Sequence, residues 1–494
     1  MATHLSMLQT APEKIEARSD SVVLRNDSFK SRARVLFVVD EASAEGNPDF
    51  WLSAIKKLSL DGCKCYALVS KSGEFSKRLT QSGFYYFLLD SAPQPGVSNW
   101  RRTFSRVRKI CDFLGRYRFD AVIHSGQADL PAVRLAAWMS GIPTRIGLAH
   151  DPAYLSSWAG EALEISTSNL DTQTVALSDW IAWKYKKLGM ANVKQHHLCS
   201  VDALNFDAKE FDFAAARAEV VSMLGIRNCT KLVCMFADIR PFYPRTPFFP
   251  EHLFGVLMHD SALFVQAMKS VIEEFPGAHF VVVGAQKDVH GQGFAGHLRD
   301  LAVKNGLAEH FHCLPESEQT QQFLAAADIV VQTSHLDVSP NIVRAMLMEK
   351  PVIATEIAEG PSIIEHKVTG LLIPPGDCLA LSEAIKSLFD VKFSRTIAAS
   401  GRQSMLQRAQ YDDSDFFFFS QSIRTSSASS MPRMLHFARI CLGLYVVFCF
   451  KLMLRAKARS SGKAGFTGRV YSKLASLTCG WLRNYTIALK KVLR

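Results

Sequence analysis

Apolar residues recur along this chain in two alternating rhythms. Short runs, such as RVLFVVD at 34–40, have the length of a buried strand. Stretches such as 50–60 and 104–114 instead place apolar residues three and four apart, the spacing of an amphipathic helix. Strand-like runs return at 65–69, 85–89 and 121–124, and again at 231–238, 279–284, 311–314, 329–331 and 351–355. In the second set, helical patterns at 261–275, 296–305, 319–327 and 379–389 separate the strands, and a last one covers 411–423. Strands alternating with helices predict the α/β class, with parallel sheets between helical layers. The rhythm breaks near 206–229. Two or more α/β domains are therefore expected. Residues 1–33 are polar and mixed in charge and read as a disordered leader.

A length of 494 residues suits two such domains. The eleven cysteines form no CxxC pair, and Cys63 and Cys65 are too close together for a zinc half-site. With no secretory signal in view, reduced thiols and a cytoplasmic protein are expected. The net charge of +11 is unevenly placed: residues 416–494 hold fourteen Lys and Arg and no acid, which leaves 43 bases against 46 acids elsewhere. This balance speaks against a nucleic-acid-binding body and for an anionic partner of the tail. The serine-rich stretch TSSASS opens the segment 425–494, read as linker and membrane-associating tail. Residues 440–450 carry no charge, but about twenty would be needed to span a bilayer, so 434–454 either lies on the membrane or spans it with its basic flanks snorkelling. Leu474, Leu477, Trp481, Leu482, Tyr485, Leu489 and Val492 form an apolar helical stripe with bases opposite, the pattern of a helix lying in an anionic membrane interface. Packing of these helices on the body is the alternative. The expected partner is thus an anionic membrane surface, bound peripherally through 431–494.

The stretch with the most chemistry is 328–377. An apolar strand is followed by a polar turn, then Ser339 as helix N-cap, Pro340 as first helical residue, and Ile342, Val343, Met346 and Leu347 on one helical face. A helix start at the carboxyl end of a parallel strand is where such sheets hold phosphate. Two histidines, His124 and His150, end strand-like runs in the first domain. An imidazole there is either structural or a hydrogen-bonding group for a bound ligand.

The residues Pro340-Asn341, Ala345-Met346, 351–355 (PVIAT) and 369–377 (TGLLIPPGD) resemble the nucleotide-sugar site of retaining GT-B glycosyltransferases of family 4, the glycosyl transferases group 1. The resemblance spans about 34–420 and is strongest in the second half. It implies a GT-B fold, with two Rossmann-like domains at 34–205 and 206–395 facing across a cleft and a crossover helix at 396–424 returning to the first, and transfer of a sugar from a nucleotide-diphosphate sugar with retention. The acceptor would be a lipid-linked or membrane-associated glycan. No cofactor is implied beyond the donor substrate, and no metal; a helix terminus and an arginine would hold the leaving diphosphate. Carried over residue by residue, Asp337 and His150 would face the transferred sugar, and Arg240, Ser339, Asn341, Arg344 and Glu365 would contact the donor. The chain departs from the pattern in three places. Asp337 stands for the first glutamate of the family's pair, Arg344 occupies the place of the second, and the family's lysine is replaced after a Phe- and Pro-rich insertion at 242–257, which lines the cleft or forms a surface flap. The rival reading is a catalytically inactive, glycosyltransferase-like scaffold or partner subunit at the membrane. A weaker one is an epimerase or phosphorylase on the same fold.

Overall fold

The computed structural model describes residues 33–425 apart from 40–47, 71, 90–98, 126–129, 151, 191–192, 196–205, 237–259, 286–288, 316–319, 336–339 and 358–359. The leader, the tail, the insertion at 242–257, and Arg240, Asp337 and Ser339 lie outside the described residues.

The first domain runs β1 (Arg34–Val39), α1 (Pro48–Leu60), β2 (Lys64–Val69), α2 (Glu74–Gln81), β3 (Tyr85–Leu88), α3 (Asn99–Tyr117), β4 (Ala121–Ser125), α4 (Leu130–Met139), β5 (Thr144–Ala149), α5 (Pro152–Ser156), α6 (Trp158–Thr167), β6 (Gln173–Ala176), α7 (Asp179–Lys187) and β7 (Val193–Gln195). The second runs α8 (Phe213–Met223), β8 (Lys231–Phe236), α9 (Ser261–Glu274), β9 (Ala278–Ala285), α10 (Val289–Lys304), β10 (Phe311–Pro315), α11 (Thr320–Ala326), β11 (Ile329–Gln332), α12 (Pro340–Leu347), β12 (Val352–Thr355), α13 (Gly360–Ile363), β13 (Leu371–Ile373), α14 (Cys378–Ser387) and α15 (Val391–Thr425). The alternation read from the sequence is the one observed. Several helices had no counterpart there, namely α2, α4, α5, α6 and α8; α4, LPAVRLAAWM, is apolar almost all round and so lacks the one-sided stripe that announces a helix.

Each domain holds one sheet, parallel at every pairing. The orders are β3-β2-β1-β4-β5-β6-β7 and β10-β9-β8-β11-β12-β13. In both, the order reverses beside the first strand of the domain, between β1 and β4 and between β8 and β11. The crevice beyond the strands' carboxyl ends at such a reversal is where α/β sheets bind ligands. Strands buried on both faces explain the unbroken apolar runs. Leu36 and Val38 pack beneath α3 and α4, while Val35, Phe37 and Val39 face α1, each under 10 % exposed.

The two domains fix their reversal strands by the same device. Asp120, just before β4, accepts from the amide of Arg34 at the start of β1 (2.8 Å), and its own amide donates to the Arg34 carbonyl (2.9 Å). Asp328, just before β11, does the same for Leu232 of β8, at 2.6 and 2.8 Å, and also accepts from Arg217 of α8 at 2.6 Å. A carboxylate here satisfies an edge amide that the ladder leaves open. The helix α15 packs against α12 along its middle and buries Ile423, near its end, in the first domain's core beside Trp51 and Phe50.

Candidate functional site

The carboxyl-end crevice of the second domain is built from the ends of β11 and β12 and the starts of α9, α12 and α13. Three short polar residues, Gln332, Thr333 and Ser334, continue β11 and are fully buried, so each needs a partner. The amide of Asp260 donates to the Thr333 carbonyl (2.7 Å), and the Thr333 hydroxyl donates back to the Asp260 carbonyl (2.8 Å). The Asp260 carboxylate caps α9 by accepting from the Leu263 amide at 2.9 Å. Thr355, closing β12, donates to the Ser334 carbonyl (2.6 Å) and accepts from the Ser334 amide (3.2 Å). These bonds lock two strand ends and a helix start into one rigid rim. Gly360 opens α13 so close to β12 that an added Cβ would lie 2.5 Å from the Thr355 carbonyl oxygen, so only glycine allows that approach.

Of the predicted donor residues, Asn341 and Arg344 stand on α12, which starts at this rim, while Arg240 and Ser339 lie outside the described residues. Asn341 is the second residue of α12, and its Oδ1 accepts from Arg344 Nη1 one turn on, at 3.4 Å. The Arg344 guanidinium lies 5.0 Å from the centroid of the Phe206 ring. The structure therefore brings Asn341 and Arg344 into contact. Arg344 offers positive charge and a ring contact where the resembled family has a carboxylate. Glu365 is exposed, in a turn beyond α13 rather than on a helix, with its carbonyl accepting from the amides of Val368 and Thr369. His150 stands in the other domain, immediately after β5 at the carboxyl end of that sheet. Burial pulls its pKa down to about 4, so it is a neutral imidazole at physiological pH, with one nitrogen to donate and one to accept.

The other predicted histidine belongs to a buried ionic network that the sequence reading did not foresee. His124 Nε2 bonds Asp171 Oδ1 at 2.8 Å, Arg134 Nε donates to Asp171 Oδ2 at 2.6 Å, and Arg134 Nη1 donates to Glu164 Oε1 at 2.9 Å and to the Thr167 hydroxyl at 3.1 Å. Tyr185 donates to Glu164 Oε2 at 2.8 Å. All are buried. Burial alone would raise the Asp171 carboxyl, but His124 and Arg134 hold it below the usual carboxylate range. With Asp171 ionised, His124 Nε2 donates to it, and Nδ1 is buried without a hydrogen-bond partner among the described residues. The network lies over Gly147 of β5, where a Cβ would meet Asp171 Oδ2 at 2.5 Å. It joins α4, α6 and α7 to the sheet just below the reversal point. The sequence carries only a faint sign of it, an arginine and a glutamate inside apolar helices.

Residues 255–390 match the family described as Glycosyl transferases group 1. No curated protein sequence matches the chain. Among solved structures, it is similar to a glycosyltransferase from Rickettsia africae, with TM-score 0.64 and 14 % identity over 81 % of this chain and all of that one. It is likewise similar to HepE of Anabaena in complex with UDP and glucose, with TM-score 0.63 and 18 % identity over 79 % of this chain and all of that one. The lipopolysaccharide outer core galactosyltransferase WaaB has TM-score 0.54 and 10 % identity over 78 % of this chain and 99 % of its own. The architecture is that of the GT-B structures it resembles, and the group 1 glycosyl transferase match over residues 255–390 of the second domain indicates a transferase.

Proposed function

We propose that this protein moves a sugar, with retention, from a nucleotide-diphosphate sugar to a lipid-linked or membrane-associated glycan acceptor. The observation that carries this reading is the coincidence of the group 1 match with the rigid rim at the carboxyl end of the second sheet. The donor would lie on that rim. The amide of Asn341 and those after it at the start of α12, with Arg240, would meet the diphosphate, where charge grows as the glycosidic bond breaks. Proline has no amide to offer, so Pro340 serves only to start the helix. Asp337 would face the transferred sugar, and Ser339 and Glu365 would hold the rest of the donor. Arg344 would approach the nucleotide as a cation held against Phe206. Neutral His150 would bond a sugar hydroxyl from the first domain without adding a charge that repels the developing oxocarbenium. HepE of Anabaena is described with UDP and glucose, which puts UDP-sugars first among donors to test. WaaB acts on lipopolysaccharide, which favours a lipid-linked acceptor.

No helix among the described residues is long and apolar enough to cross a membrane. In this reading the basic tail at 431–494 holds the protein peripherally on the cytoplasmic leaflet. The test is a thermal-shift screen of UDP-, GDP- and ADP-sugars. A donor at a hundredfold excess over its Kd stabilises the fold by about 2.7 kcal/mol, and Arg240→Ala should remove the shift. Released nucleotide together with a glycoside of retained configuration would complete the assignment. A folded protein that answers to no donor would sink it and return the inactive scaffold.

A further inference from the structure

The second domain has a cavity of about 390 Å³ at the end of the sheet away from the donor rim, where β12 begins rather than ends. Lys209, Lys350 and Arg402 line it, with Phe213, Met348 and one carboxylate, Glu349. The cations there are incompletely matched. Lys350 Nζ donates to the Ala325 carbonyl (2.5 Å) and lies 4.1 Å from the centroid of the Phe213 ring, so a carbonyl and a ring face hold its charge. Burial pulls its pKa down to about 8, against the opposing field of Asp328. An ammonium has three donors, and this one spends one on the carbonyl. Arg402 Nη2 bonds Asp207 at 2.5 Å, and its Nε donates to the Leu347 carbonyl at 3.1 Å, which leaves Nη1 available. Lys209 is exposed at the mouth. The same wall carries the half-buried ring of Phe213, with Met348 buried behind it.

We propose that this cavity is a second anion site and takes a phosphate monoester. Lys350, Lys209 and Arg402 surround the phosphate, and the Phe213 ring meets its carbon skeleton. Three donors converging on one space suit the oxygens of a phosphate, and an apolar wall beside them favours an ester over the free ion. The walls belong to the two segments that connect the domains. Lys209 and Phe213 follow the stretch by which the chain enters the second domain, and Arg402 sits on α15, which carries Ile423 into the first. A ligand bridging them would stiffen that connection.

The test is a titration of the full-length protein with phenyl phosphate and, separately, with inorganic phosphate, read by calorimetry and melting temperature against potassium chloride of equal ionic strength. Phenyl phosphate is expected to bind and raise the melting temperature, and to bind more tightly than inorganic phosphate. Lys209→Gln, a change at an exposed side chain, is expected to weaken it about tenfold. Lys350→Met is expected to abolish the shift while melting no lower than the unchanged protein in the absence of ligand, because it removes a buried charge. Failure of phenyl phosphate to bind, or binding undiminished in both variants, overturns the proposal.

Discussion

Replacing Gly147 by alanine tests the buried network of the first domain. The added methyl carbon would stand 2.5 Å from Asp171 Oδ2, 3.1 Å from Arg134 Nη2 and 3.2 Å from His124 Cε1. A comfortable carbon–oxygen contact is about 3.4 Å, so the carboxylate must retreat by roughly 0.9 Å. It is pinned by bonds of 2.6 and 2.8 Å to Arg134 and His124, and its neighbours are buried as completely as it is. Overpacking a core costs about 1–3 kcal/mol, and separating a buried ion pair costs about 3–5. A loss of about 3–5 kcal/mol is expected. The chain supplies its own reporter: of its seven tryptophans, six lie at or before Trp183, none falls between 206 and 425, and the last is Trp481. Tryptophan fluorescence in urea therefore follows the first domain. Gly115→Ala is the control, since that helical glycine has nothing within 4 Å and the change should stabilise the same domain by about 0.5–1 kcal/mol. If Gly147→Ala melts with its control, the network is not held as tightly as argued.

Three further outcomes are expected. The paired histidines of the second domain, His279 and His312, bring Nδ1 and Nε2 to 3.4 Å across β9 and β10, and burial pulls His312 down to about 4. Below its unfolded value of about 6.5 the unfolded chain binds the proton first, so stability is complete above that pH and is lost as pH falls toward 4. His312→Gln should remove about 1–2 kcal/mol of that loss, allowing for partial exposure, as calorimetry at pH 5 and 7 would measure. For His150, the depressed pKa predicts no titration step from this residue between about pH 5 and 8, and His150→Ala should lower kcat/KM for transfer about tenfold, the worth of one hydrogen bond; a variant as active as the parent would remove His150 from the site. Deleting 431–494 should move the protein from membranes to the soluble fraction in a flotation assay, and retention on membranes would end the tail hypothesis.

Much of the framework could be read directly from residues. DAVIH at 120–124 and DIVVQ at 328–332 each put an aspartate before an apolar run, and both turn out to tie a reversal strand to the first strand of its domain. Asn341 and Arg344 are three apart on a helix, so their contact follows from helical spacing. The buried network was not legible, because its members at 124, 134, 164, 171 and 185 share no spacing and meet only when three helices close on one sheet. Lys350 escaped for a similar reason. A lysine in a turn reads as solvated, and only the packing of Phe213 against it reveals a buried charge. The last helix was expected to begin at 396, but it begins at Val391 and runs unbroken for 35 residues.

That helix also bears on how the protein is made. The strands of the first domain are complete at Gln195, yet Ile423, which fills part of their core, is translated more than two hundred residues later. At about 5–20 residues per second, the first domain would wait roughly ten to forty-five seconds on the ribosome with that part of its apolar surface uncovered. The protein is therefore finished from both ends of its sequence at once, and its first domain cannot reach its final packing before the second has been synthesised.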